Sequence, residues 1–512
     1  MELALDIPEI LDEILRLATP SAQAAAAQTC QRWSHHSLRW LWRHMDSYYP
    51  LLEILSPLVG SGSWYRKFSS DLSTSDWNRF SRYAAYIFSI HHISIYPFWV
   101  GQRSPQRLWE TFLLHHPEPA SMFSNLTEIK WNVETDEDLL SVMVFLAPSV
   151  ISLNLMCGRS IGDKCIEILE VLGQRKIYLT KFTFAMLTPN KTVMDRLPAV
   201  LAGQTKLTAV ALSPYFATQA VVTVLGQLPS LREYTSNLVG KSLEPMVGFD
   251  WQEGAFPLLE RFTLCSSITH ASDLMTKPHQ PQLRHFTLVF QEPFHYTMLP
   301  AFCSNLSALQ SCITTITLVL YSETGATGSL SFDLIRPLLR CAALLYLRLT
   351  SHLVLAYDDE DIAIMASSWP NLRVLRLCPD PVPQTGPDAG QPLRTVGTFT
   401  HSFSQLVHLA IYINSLDVGV AQSGVPHRRL ATIDFGTSPA PPGSAEAASL
   451  YLANIMEPGG NLRGGRRVDR MTSMGSMVRD TAECCPEGTF WHNVSKRVEI
   501  IHSSQQDSNA ED

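Results

Sequence analysis

From residue 126 to residue 436 the chain repeats one short pattern: an apolar residue, two variable ones, an apolar residue, a variable one, and an apolar residue. Copies begin at Leu126 (LTEIKW), Val150, Leu179, Leu207, Leu231, Leu259, Leu283, Ile313, Leu344, Leu372, Leu406 and Leu430. The closing alternation has the period of two expected of a strand with one buried face. The residues between copies have helical spacing in places. Asp136 to Leu146 and Asp358 to Ser368 each open on an acidic cluster, favourable at a helix N-terminus, and then run apolar. These clusters lack the alternating Asp spacing and central Gly of a calcium loop, so helix capping is expected. Pro229, Pro257 and Pro370 each precede a strand by a few residues, where proline ends a helix and leads the chain into an extended segment.

One such unit cannot bury its own leucines, but stacked neighbours can. The spacing matches leucine-rich repeats. The expectation is an α/β fold, a solenoid of about twelve degenerate strand–turn–helix units. The Asn or Cys that usually follows the strand is mostly missing, with Asn414 a rare match, so turn geometry should vary between copies. If the leucines point inward, the third, fifth and seventh positions face the concave side. The first copy places Glu128, Lys130 and Asn132 there, and a middle copy only Ala209, Ala211 and Ser213. Later copies place Arg261, His285, Tyr346, Arg348, Arg376, His408, Tyr412 and Asp434 there. Tyr and Arg are the side chains most often found at binding hot spots, so a partner-binding surface is expected on this face, centred on Tyr346, Arg348 and Arg376.

The first fifty residues follow another pattern. Ile7, Ile10, Leu11, Ile14 and Leu17 form one helical stripe, with Glu9, Asp12, Glu13 and Arg16 elsewhere. Asp6 with Glu9 three residues on reads as a capping box, and Pro8 falls in the tolerant first turn. A second helix start follows at Thr19-Pro20-Ser21, then Cys30-Gln31-Arg32-Trp33 and Leu41-Trp42. In order and spacing, Ile7-Pro8, Ile10-Leu11, Cys30-x-x-Trp33 and Leu41-Trp42 resemble an F-box, the three-helix module that binds the adaptor Skp1 in cullin-type ubiquitin ligases. An Ala-rich second helix departs from the family pattern. More loosely, Asp76-Trp77-Asn78-Arg79-Phe80 resembles a segment that fungal F-box proteins carry after this module. The F-box resemblance implies a Skp1 surface built from Ile7, Pro8, Ile10, Leu11, Ile14, Cys30, Trp33, Leu41 and Trp42. It implies a non-catalytic receptor that reaches a cullin through Skp1 while the repeats hold an unknown protein substrate. The alternative is a leucine-rich-repeat scaffold without ligase association.

The expected organisation is an F-box at 1–50, a helical connector at 51–125, a repeat solenoid at 126–460 and an irregular segment with a polar tail at 461–512. In the connector, Trp77, Phe80, Tyr83, Ala84 and Ile87 share a helical face. Ala445 to Met456 reads as one more helix, Leu462 to Arg467 as outside the repeat, and Phe490 to Ile501 as a terminal helix or capping strand.

Composition adds exclusions. The chain is 46% hydrophobic and 17% charged, as a globular protein is. A net charge of −8 argues against a nucleic-acid surface as the main function. Ten scattered cysteines, several in apolar runs (Cys157, Cys265, Cys312, Cys378), and an acidic N-terminal helix point to a reducing compartment, cytoplasmic or nuclear. The uncharged run Leu139 to Gly158 is long enough to span a bilayer, but Pro148 divides it into a helix and a strand. Gly240-Lys241-Ser242 lacks the first glycine of a phosphate loop, and no convergent nucleophile or metal set is visible. No cofactor, metal or membrane association is expected, and a monomer outside the complex is.

Overall fold

A computed structural model describes residues 7–59, 67–92, 109, 112–114, 118–159, 161–236, 249–276, 282–290, 295–308, 312–320, 328–381, 390–418, 429–439, 445–464 and 490–510. Asp6, Gly240-Lys241-Ser242 and Cys484-Cys485 lie outside these residues. The chain divides into two compact units, Met1–Leu231 and Arg232–Asp512.

The first unit opens on three helices, α1 (Pro8–Leu17), α2 (Pro20–Ala26) and α3 (Gln31–Leu41). The N-cap of α1 is Ile7, without a side-chain cap bond; Thr19 caps α2 by accepting from the Ala22 N–H. Parallel strands follow: β1 (His44–Met45), β2 (Ser89–His92), β3 (Glu128–Val133), β4 (Ser152–Cys157), β5 (Lys181–Met186) and β6 (Ala209–Leu212), each paired with the next. Sheet pairing thus starts before the first recognisable repeat. Between β1 and β2 lie α4 (Tyr49–Leu55) and α5 (Thr74–Ala84), the latter capped by a reciprocal Ser73–Asp76 box and burying Trp77, Phe80 and Ala84. Return helices α6 (Asp136–Phe145), α7 (Cys165–Gln174), α8 (Lys191–Ala202) and α9 (Gln219–Gln227) separate the later strands. The run 139–158 is therefore helix, turn and strand, and no helix among the described residues is long and apolar enough to cross a membrane.

The second unit continues in kind. Parallel strands β7 (Glu233–Thr235), β8 (Arg261–Ser266), β9 (His285–Phe290), β10 (Thr315–Leu320), β11 (Tyr346–Ser351), β12 (Val374–Leu377), β13 (His408–Ile411), β14 (Leu430–Asp434) and β15 (Met456–Arg463) pair in that order. Their helices are α10 (Ile268–Met275), α11 (Leu299–Ser307), α12 (Asp359–Ser368), α13 (Arg394–Ser402), α14 (Ala445–Ile455) and α15 (Phe490–Ala510). Two expectations change here. Leu462 continues the ladder, pairing with Ile433 in β15. The terminal helix runs through the polar stretch expected as a tail, held by buried Trp491, Val494 and Val498 and by a 2.9 Å bond between His502 Nε2 and the Ala453 carbonyl.

One rule builds both units. The first-position residues, from Leu126 to Leu430, are at most 4% exposed, and so are the fourth-position residues that follow them. Each buried Leu of this kind contributes about 1.5–3 kcal/mol. The chain is thus a mixed α/β protein with a long parallel sheet of repeat-solenoid type. The acidic clusters cap helices, as expected: Thr135 with Asp138 at α6 and Asp358 with Asp361 at α12 form reciprocal boxes.

Candidate interaction surfaces

In the helical module α1 turns two faces to two environments. Leu11 (0% exposed) and Leu15 (2%) pack on Ala26, with Trp33 and Trp40 partly buried against them. Asp12 ties α1 to α3: its carboxylate meets His36 Nδ1 at 2.8 Å and Trp40 Nε1 at 3.4 Å. Gln23 ties α1 to α2, its side-chain amide donating to the Leu15 and Ala18 carbonyls at 2.7 and 3.2 Å. Carbonyls at a helix end lack the usual i+4 donor; that of Leu15 also accepts from the Ala18 N–H at 3.3 Å. With Leu11 and Leu15 packed inside, the module still leaves Ile7 (45%), Ile10 (39%), Ile14 (44%) and Leu17 (71%) open to solvent. Pro8 and, at the start of α3, Cys30 are also exposed, whereas Leu41 and Trp42 are half-buried, Trp42 lying edge-on to Tyr83 at 5.1 Å. The nine residues expected to form one docking surface therefore divide. Leu11 and Trp33 hold the module together, and the isoleucines face outward.

On the sheet, register aligns the third and fifth positions strand by strand. In the first unit Glu128 lies opposite Ser152 and Ser89, and Lys130 opposite Asn154 and His91. Burial alone would raise the Glu128 carboxyl, but Lys130 at 2.7 Å and His91 at 3.5 Å outweigh it and hold it below the usual carboxylate range. In the second unit the third positions read Glu233, Arg261, His285, Thr315, Tyr346, Val374 and His408. The fifth positions read Thr235, Thr263, Thr287, Thr317, Arg348, Arg376 and Ala410. Arg261 is exposed, while His285, Tyr346, Arg348, His408 and Tyr412 are half-buried. Burial, followed by Arg261 and Arg284, pushes the His285 imidazole below its ordinary value, and burial raises the Tyr412 phenol.

Arg376 and Asp434 depart from the expectation of an open surface. They are 6% and 0% exposed and form an ion pair at 3.1 Å. At the same end of the sheet Cys265, Val289 and Val319, all at the seventh position, form a small buried cluster apart from the main core. The C-terminal ends of these strands are therefore interior, and the open part of the face lies toward the strand starts. Arg232, Glu260, Arg284 and Arg373 stand just before β7, β8, β9 and β12 in that open part. Sequence reasoning passed over them because they occupy the second repeat position, next to the counted ones.

A polar cavity of about 300 Å³ opens among Phe332, Asp333, Arg336, Asp358 and Asp361. Arg336 bridges Asp333 at 3.0 Å and Asp361 at 3.2 Å, so this acidic cluster already has a cation of its own. Among the described residues no group of three or more His, Cys, Asp or Glu side chains is arranged to hold a metal.

No family model matches the chain, and no curated protein matches it. Solved structures do. The yeast Rad7–Elc1 complex matches with a TM-score of 0.37 and 13% identity, over 73% of this chain and 89% of that one. The leucine-rich-repeat-containing protein LegL7 from Legionella pneumophila matches with a TM-score of 0.32 and 13% identity, over 75% and 94%.

Proposed function

We propose that this protein is a non-catalytic substrate receptor of a Skp1–cullin–F-box ubiquitin ligase, acting inside the cell, in the cytoplasm or nucleus. The helical module docks on Skp1 and the repeat sheet holds a protein substrate. The observation that carries this reading is the outward row Ile7, Ile10, Ile14 and Leu17 on a module whose own core is already filled by Leu11 and Leu15. Branched aliphatic side chains left in water on one helix face mark an interaction site, and they lie within the segment that resembles an F-box. The second reading, a repeat scaffold without ligase association, rests on the sheet face alone and leaves that row without a purpose.

Changing Ile10 and Ile14 to Glu in the full-length chain separates the two. Each aliphatic side chain buried in a complex is worth about 1.5–3 kcal/mol, so capture of Skp1 and a cullin should fall at least a hundredfold. Both side chains are solvent-facing, so the melting temperature should hold. Undiminished Skp1 capture by the variant, or no capture by the unaltered chain, would refute the receptor reading.

A further inference from the structure

The charges along the open edge of the second unit's sheet do not balance. Glu260 pairs with Arg232, and Glu233 pairs with Arg261 at 3.7 Å. Both glutamates of this edge are thus already matched. Arg284, Arg348 and Arg373 remain, and among the described residues no carboxylate lies within ion-pair distance of any of them. Arg284 and Arg373 are exposed and Arg348 is half-buried; Arg348 makes a long 3.4 Å contact to its neighbour Thr350. Register places the three on or just before β9, β11 and β12, with Tyr346 one strand step from Val374 and two residues before Arg348. Neighbouring strands lie about 4.8 Å apart, so the four strands from β9 to β12 span about 14 Å. An extended peptide covers that distance in about four residues.

We infer that this strip binds an acidic segment of a protein: an extended stretch carrying two or three carboxylates within about four residues, set across β9 to β12. The inference rests on the receptor reading for its biological meaning and supplies the substrate class that reading lacks. Guanidinium groups pair with carboxylates through two parallel hydrogen bonds, and Tyr346 offers a large face of low conformational cost between them. A nucleic acid is the poorer fit. Its affinity comes from neutralising many phosphates along a broad basic surface, whereas this strip has three spare cations, is flanked by two glutamates and belongs to a chain of net charge −8.

The test is selection of random twelve-residue peptides on immobilised full-length protein, run beside a triple Arg284→Gln, Arg348→Gln, Arg373→Gln variant and a triple Arg→Glu variant. Circular dichroism and melting confirm that the variants fold. The unaltered protein should enrich Asp and Glu at two or more positions, and the selected peptide should bind the Gln variant about tenfold more weakly and lose affinity as salt rises. The Glu variant should reverse the preference toward Lys and Arg. Selection without acidic enrichment, an equal preference in all three proteins, or displacement of the selected peptide by a twenty-nucleotide single-stranded RNA at lower concentration would overturn the inference. Skp1 takes no part in this measurement. Loss of acidic selection with intact Skp1 capture therefore refutes the strip alone, and the converse refutes the receptor reading alone.

Discussion

Arg376 and Asp434 show how one side chain can be read correctly for its position and differently for its surroundings. Both occupy fifth positions of the repeat, as counting residues indicates, but on β12 and β14 that position is buried, whereas Arg348 at the fifth position of β11 is half-buried. Asp434 uses one carboxylate oxygen for Arg376 and the other for the Gly436 N–H at 2.9 Å. Gly436 has φ +51°, and a Cβ there would lie 1.9 Å from the Pro379 carbonyl oxygen, so the turn after β14 requires glycine. Asp434→Asn keeps an acceptor for Gly436 while removing the Asp434 charge from the buried Arg376 guanidinium. We expect it to destabilise the fold by about 3–5 kcal/mol, as loss of one member of a buried pair does. Adding Arg376→Gln to that variant should cost little more. Denaturation midpoints of the two single variants and the double variant check this, and additive losses would show that the pair is not coupled.

Among the elements, strands were more legible than helix ends or outlying strands. Eleven of the twelve repeat copies start their strand two residues after the first apolar position, as Leu126 does with Glu128; the copy at Leu430 begins its strand on that residue. The strand positions were readable because a period-two pattern with a buried face allows one register only. The strands β1, β2 and β15 were not, because they are too short or too polar to carry the pattern: His44–Met45, Ser89-Ile90-His91-His92 and a Gly-Gly-containing segment. The candidate site was legible only in part for a similar reason. Sequence gives the face of a residue, but whether that face is open depends on packing from distant segments. β2 supports a prediction of its own. The His92 ring sits 5.1 Å from Tyr48 and 4.7 Å from Trp131, and burial lowers its pKa below the ordinary 6.5, against an opposing pull from Asp138. A histidine depressed in the folded state is more easily protonated when unfolded. Its contribution is therefore complete above pH 6.5 and is lost as pH falls from 6.5 through the folded-state value, each unit of separation being worth about 1.4 kcal/mol. Melting temperature between pH 7.5 and 5 should fall less steeply in His92→Phe than in the parent, and parallel profiles would contradict this.

At the scale of the whole molecule, a solenoid is held together by nearest neighbours. Within each unit the inner strands pair with the strand before and the strand after, so stability is a sum of repeat and interface contributions rather than one global quantity. A defect should therefore be felt most strongly by the strands on either side of it. Leu318 of β10 is fully buried, in register with Leu288 of β9 and Leu349 of β11. Leu318→Ala removes buried methyl groups and leaves a cavity, a loss of about 2–5 kcal/mol. Native-state hydrogen exchange reads where that loss falls, because local openings report the stability of the segment that opens. Amides of β9, β10 and β11 should exchange some tenfold or more faster in the variant, since 1.4 kcal/mol is already a factor of ten. Amides of β14, four strands from β10 along the ladder, should change by less than about threefold. A uniform acceleration from β7 to β15 would mean that the second unit opens only as a whole, and the nearest-neighbour description would then fail for this chain.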